Sequence, residues 1–142
     1  MATVQFFMAL VPPTVTHQEK KVRVVKGKPI FYEPSELKAA RAQLMGRLAK
    51  DKPVEPLEGA LQLVCKWCFP LDKGKRHRDG EYKTSKPDTD NLQKLLKDCM
   101  TDLGFWVDDA QVASEIVEKF WSSVPGIFVQ IRPLNSMEQE ET

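Results

Sequence analysis

The chain has 142 residues, 42% hydrophobic and 29% charged, which is the balance of an ordinary globular domain and not of a collagen, a disordered tail or a disulfide-dense miniprotein. No apolar run approaches the ~18–20 residues that span a bilayer, and Met1 to Val11 lacks the basic start and small-residue cleavage site of a signal peptide, so no membrane association is expected. The net charge of +1 conceals a division: residues 1–86 hold 17 Lys and Arg against 9 acids, net +8, and residues 87–142 hold 4 against 11, net −7. A basic surface beside clustered aspartates is what a metal-using enzyme of nucleic acids needs; an uneven solvated surface would give the same count. Three cysteines cannot all pair within one chain, so a reduced, cytoplasmic setting is expected.

In chain order, Val4 to Leu10 is apolar and closes at Pro12-Pro13, which predicts an opening strand. Thr14 to Lys28 is polar and basic, with Lys20, Lys21, Arg23, Lys26 and Lys28. Gly27, between Val22, Val24, Val25 and Ile30, Phe31, Tyr32, predicts a hairpin or a long loop. Pro34 and Ser35 open a helix to about Lys50, in which Leu37, Ala40, Leu44, Met45 and Leu48 follow helical spacing. Pro53 and Pro56 mark a linker, and Ala60 to Phe69 reads as a strand. A second basic loop, Leu71 to Lys86, carries Lys73, Lys75, Arg76, His77, Arg78, Lys83 and Lys86.

Asp88 to Leu103 then reads as a helix. Leu92, Leu95, Leu96, Cys99, Met100 and Leu103 recur at three and four residues, and Gly104 stands where a helix C-cap glycine belongs. Phe105 to Asp109 turns back into a strand, roughly Gln111 to Trp121. Ser122, Ser123, Pro125 and Gly126 mark a turn, and Ile127 to Ile131 is the last strand. The expected fold is a single α/β or α+β domain over residues 1–134, with a small mixed sheet and two main helices, followed by a disordered acidic tail from Asn135.

The informative stretch is Lys86-Pro87-Asp88-Thr89-Asp90-Asn91-Leu92-Gln93-Lys94. Asp88 and Asp90 stand at the mouth of a helix, where, if Asp90 or Asn91 is the cap, backbone N–H groups and the positive dipole end support two ionised carboxylates. Lys94, four residues after Asp90, lies about 160° from the leucine stripe and so shares the polar face. Asp108-Asp109 forms a second pair. In an extended strand neighbours face opposite sides, so one is expected to join the first pair and the other to make a structural hydrogen bond. Three such oxygen ligands suit Mg²⁺ or Mn²⁺. A bound cation can orient a water nucleophile, and a lysine can hold the phosphate. The bland alternative is an ordinary N-cap with an i,i+4 ion pair between Asp90 and Lys94. An EF-hand is excluded, because its sixth and twelfth positions would be Gln93 and Cys99. A phosphatase D-x-D is excluded by the polar residues that precede it, and no glycine-rich phosphate loop is present.

KPDTDNLQKLLKD followed by LGFWVDDAQV resembles the RusA family of Holliday-junction resolvases, whose pattern is D-x-D-N-x-x-K, a helix, then W-x-D-D near a strand. The strong similarity runs from Lys86 to about Trp121. A weaker one covers the opening strand, the basic loop and the first helix. The resemblance implies a homodimeric Mg²⁺- or Mn²⁺-dependent endonuclease of four-way DNA junctions, of a kind typical of phages and prophages, acting in recombination and repair. It places the essential aspartates at Asp88, Asp90 and Asp109 and the functional lysine at Lys94, with Asp108 as the accompanying acid. The basic run at Lys73 to Arg78 stands earlier than the arginine run of the family pattern.

DNA-phosphate contacts are expected from Lys73, Lys75, Arg76, Arg78, Lys83 and Lys86, with Lys20, Lys21 and Arg23 from the first basic stretch. Trp106 is expected to pack beneath the site. Phe69, at a strand end, is a candidate wedge into a junction. Cys65-Lys66-Trp67-Cys68 reads as strand packing before a zinc or redox motif, because no second ligand pair accompanies it. Two readings from other classes stay open: a branched-DNA-binding protein without turnover, and an interaction domain using Cys65 and Cys68.

Overall fold

The computed structural model describes residues 2–16, 21–32, 34–74 and 76–134. The expected acidic tail, Lys20 and Lys75 lie outside the described residues. The chain forms β1 (Val4–Met8), β2 (Lys21–Val25), β3 (Lys28–Tyr32), α1 (Ser35–Leu48), β4 (Leu61–Pro70), α2 (Thr89–Leu103), β5 (Val112–Ser122) and β6 (Gly126–Pro133), with single 3₁₀ turns at Ala49–Asp51 and Asp109–Gln111. The two-residue connection Lys26-Gly27, with φ of 50° and 75°, makes residues 21–32 a tight hairpin. This hairpin is a two-stranded sheet of its own.

β4 organises the rest. Its residues alternate strictly: Leu61, Leu63, Cys65, Trp67 and Phe69 are buried, while Gln62, Val64, Lys66 and Cys68 face the other way. It pairs antiparallel with β6 and parallel with β5 in a mixed sheet of order β1-β6-β4-β5. Parallel neighbours cannot be joined by a tight turn, and α2 is the crossover between them. This β4–α2–β5 unit aligns the start of α2 with the end of β4.

Leu92, Leu95, Leu96, Cys99 and Met100 of α2 are buried in one core with Leu37, Leu44 and Leu48 of α1 and the inward residues of β4 and β6. Each large side chain so buried contributes about 1.5–3 kcal/mol. Gly104, at φ 84°, ends α2 in the left-handed conformation; its N–H reaches Thr101 O at 3.0 Å, and the Phe105 N–H reaches Met100 O at 3.0 Å. The opposite sheet face leaves Phe7 44% and Ile116 47% exposed. No helix among the described residues is long and apolar enough to cross a membrane.

The fold is the expected mixed-sheet α+β architecture with two main helices, and element ends shift by one or two residues. β1 stops at Met8 instead of Leu10, where the Leu10 N–H turns back to Met8 O at 3.1 Å. Cys65 and Cys68 are free thiols three residues apart on a strand, so they point to opposite faces. Burial pushes the Cys65 thiol up to about 12.

Candidate active site at the start of helix α2

The cap position of α2 falls on Asp88, not on Asp90 or Asn91. Asp88 is extended (φ −72°, ψ 148°), and its carbonyl accepts the Leu92 N–H at 3.1 Å, but its carboxylate makes no capping bond. Residues two apart at a helix start diverge by about 200°. Asp90 therefore opens on a cavity of about 410 Å³, walled by Gln93, Lys94, Lys97, Asp109 and Glu115. Asp88 opens on a separate cavity of about 370 Å³ with Thr14, Thr16, Lys86 and Asn91. The structure thus brings Asp90, Asp109 and Lys94 together and sets Asp88 on the adjoining side of the first turn.

Asp108 and Asp109 divide their roles, through a 3₁₀ turn and not through strand alternation. The Asp108 carboxylate accepts the Ala110 N–H at 2.8 Å, and Gln111 Oε1 accepts the Asp108 N–H at 3.2 Å, a reciprocal cap. Asp109 lines the Asp90 cavity and a further one of about 330 Å³ beside Asp102. The bland reading of Asp88 and Asp90 does not hold: Asp88 occupies the cap position without a side-chain capping bond, and the Lys94 ammonium stands 3.8 Å from Asp98, not on Asp90. Among the described residues, the carboxylates of Asp88, Asp90 and Asp109 have no hydrogen-bond or ion-pair partner.

Three residues that the motif does not reveal build the cavity wall. Trp67 Nε1 donates to Gln93 Oε1 at 2.7 Å, Gln93 Nε2 donates to Glu115 at 2.7 Å, and Lys97 Nζ lies 3.1 Å from the other oxygen of Glu115. One signal was present: Glu115 and Val117 share the inward parity of β5, where a charged residue needs a partner. Outside the cavity wall, Lys119 donates to the carbonyls of Ser85 and Pro87, both at 2.7 Å, and so fixes the chain just ahead of Asp88.

The second basic loop folds onto the edge of β5. The Lys83 N–H donates to Lys119 O at 2.9 Å and the Trp121 N–H to Glu81 O at 2.8 Å. Lys73, Arg76, Arg78 and Lys86 remain exposed, with Arg76 paired to Asp72 at 3.0 Å. Lys83 departs from the expected phosphate contact. Only 9% exposed, it places Nζ 4.2 Å from the Trp121 ring centre and 5.2 Å from that of Phe69, and donates to Ser85 Oγ at 2.6 Å. Burial, with Lys119 nearby, pulls its pKa down. Phe69 is buried beneath it and does not project as a wedge. Trp106 is buried, its indole N–H donating to Thr101 at 2.7 Å. Lys21 and Arg23 lie on β2.

The family pattern implies a divalent cation. Mg²⁺ is ordinarily held by one or two carboxylates, with water and substrate phosphate completing its shell. Asp90 and Asp109, unpartnered on one cavity, fit that demand. No three Asp, Glu, His or Cys side chains among the described residues are gathered as a ready-made ligand set. Two unpartnered carboxylates, Asp90 and Asp109, and two lysines, Lys94 and Lys97, thus stand around one open cavity on the βαβ unit.

Comparison with known proteins shows the family. Residues 11–132 match the family described as endodeoxyribonuclease RusA, and the chain belongs to that family. It is similar to the crossover junction endodeoxyribonuclease rusA of Lactococcus phage r1t, with 38% identity over 99 residues, covering 68% of this chain and 72% of that protein. It is also similar to the uncharacterized protein YqaN of Bacillus subtilis (strain 168), with 28% identity over 119 residues, covering 78% of this chain and 83% of that protein.

Proposed function

We propose that the protein is a Mg²⁺-dependent, structure-selective endodeoxyribonuclease that resolves four-way DNA junctions by paired nicks, in recombination and repair, with Mn²⁺ as a substitute. The observation that supports this most directly is the pair of unpartnered carboxylates, Asp90 and Asp109, facing Lys94 and Lys97 across one cavity in a member of this endodeoxyribonuclease family. Asp90 and Asp109 would hold the cation. Asp88, on the adjoining cavity, is kept in the acidic set on the strength of the family pattern. A divalent cation bound there supplies Lewis-acid activation of water and offsets charge on the phosphodiester. Lys94 contacts the phosphate, and Lys73, Arg76, Arg78 and Lys86 meet the flanking backbone.

A four-way junction has near two-fold symmetry, and its resolution needs cuts in two strands of like polarity. The described residues of one chain offer one such cavity, so the acting species is a two-fold homodimer, working in the cytosol of a bacterial or phage-infected cell. The test is one incubation of labelled four-way junction and plain duplex with Mg²⁺, read on a denaturing gel. Junction cleavage that spares the duplex is expected. Binding without cleavage in either metal would leave a branched-DNA-binding protein instead. Light scattering should give about twice 16.2 kDa.

A further inference from the structure

The buried indole of Trp67, at the centre of β4, starts a chain of contacts that ends in the cavity. An indole N–H is a donor only, so the Gln93 atom it meets at 2.7 Å must be the amide oxygen. That commitment prevents the Gln93 amide, 3% exposed, from flipping, and its NH₂ is aimed at Glu115 at 2.7 Å. Glu115 has one oxygen left, and it holds the Lys97 ammonium at 3.1 Å.

The two lysines of the cavity are consequently unequal. The Lys94 side chain is 60% exposed, with its ammonium 3.8 Å from Asp98; the Lys97 side chain is 22% exposed and anchored. An ammonium has three donors. Lys97 spends one on Glu115, which leaves two for the cavity that Asp90 and Asp109 share. A cation already held in place loses little freedom when an anion arrives.

We propose that Lys97 is a second phosphate-contacting residue of this centre, with Glu115 and Gln93 as its positioning residues. The proposal rests on the nuclease reading of the cavity. It is tested with the wild type, Lys97→Met, Lys97→Arg and Glu115→Gln, each checked by thermal melting. The first readout is the salt dependence of junction binding in EDTA, which needs no turnover; the second is the single-turnover cleavage rate in Mg²⁺ at saturating protein.

Lys97→Met should lower the slope of log affinity against log salt by about one unit and cut the rate about tenfold or more. Lys97→Arg should restore the slope. Glu115→Gln should keep the slope and still slow cleavage, because the ammonium remains but is no longer held. A folded Lys97→Met with wild-type slope overturns the proposal and leaves the Lys97–Glu115 pair a structural contact. Absence of wild-type cleavage in both metals would sink the nuclease reading, while the EDTA slope still decides whether Lys97 meets phosphate.

Discussion

The cavity at the start of α2 and the basic loop over residues 72–86 are both densely charged, yet they use charge in opposite ways. In the loop, much of it is spent internally. Arg76 is tied to Asp72, the His77 ring pairs with Glu81 and stacks on Trp121 at 4.4 Å, and Asp79 accepts from the Ser123 N–H at 2.8 Å and its hydroxyl at 2.9 Å. Lys83 lies over two rings. In the cavity, Asp90 and Asp109 stand on rigid elements without a partner among the described residues. Charges that a fold leaves uncompensated are the most available to a ligand. The loop covers the edge of β5, and among its described residues Lys73, Arg76, Arg78 and Lys86 face outward, the ones proposed to meet DNA.

The sharpest way to break this contrast is at the cavity. Asp90→Asn keeps the size of the side chain and removes its charge. Cleavage should fall by well over about a hundredfold, beyond the 10–100-fold typical for loss of a residue that merely supports a ligand, while junction binding in EDTA stays intact or tightens. Asp109→Asn should behave alike. Wild-type rates for either in Mg²⁺ would remove the assignment.

The loop should answer differently. Replacing Lys73, Arg76 and Arg78 by alanine should weaken binding and flatten its salt dependence by about one unit per lost phosphate contact, with the rate at saturating protein little changed. Lys83→Met should leave the slope alone and lower stability by about 1–2 kcal/mol, the worth of a desolvated cation–π contact. If Lys83→Met flattens the slope as much as Arg78→Ala does, the division between inward and outward lysines is wrong.

Much of this arrangement was legible from spacing. The leucine stripe from Leu92 to Leu103, its end at Gly104 and the strand that becomes β4 follow from local sequence and glycine chemistry, and all three stand in the structure. What spacing could not convey is direction. Asp88 and Asp90 read as a pair, but a two-residue step across a helix cap sends them to different cavities. Asp108 and Asp109 read as strand neighbours, but Gln111 closes a 3₁₀ cap over Asp108. The contacts of Trp67 with Gln93 and of Gln93 with Glu115 join residues 26 and 22 apart in sequence. Only the parallel crossover brings them together, and no local pattern announces it.

A smaller effect concerns acid. The Ser123 N–H and hydroxyl hold the Asp79 carboxyl below the usual carboxylate range. A group whose folded pKa is depressed adds stability above its unfolded value, about 3.9 for Asp, and loses it as pH falls through the lower folded value. Asp79→Asn should therefore be less stable than wild type near pH 6, and the gap should close as pH falls through the lowered value of the folded carboxyl. A gap that persists unchanged into strong acid would mean that the Asp79 contact to Ser123, just past β5, does not depend on ionisation.

The smallest effect is expected where the sequence offered a second motif. A reactive or metal-binding thiol needs its thiolate within reach of neutral pH, and burial works against that at all three cysteines. It raises Cys65 to about 12 and Cys99 to about 11, and lifts the half-buried Cys68 as well. With Cys65 and Cys68 on opposite faces of β4, the two cannot close on one ion or on each other without breaking the strand. In the folded protein at pH 8, a thiol-reactive disulfide reagent should leave Cys65 and Cys99 unmodified and label Cys68 slowly, whereas denaturant should expose all three. Stoichiometric zinc in the purified protein, or fast labelling of Cys65, would instead give this strand a chemistry of its own, independent of the aspartates.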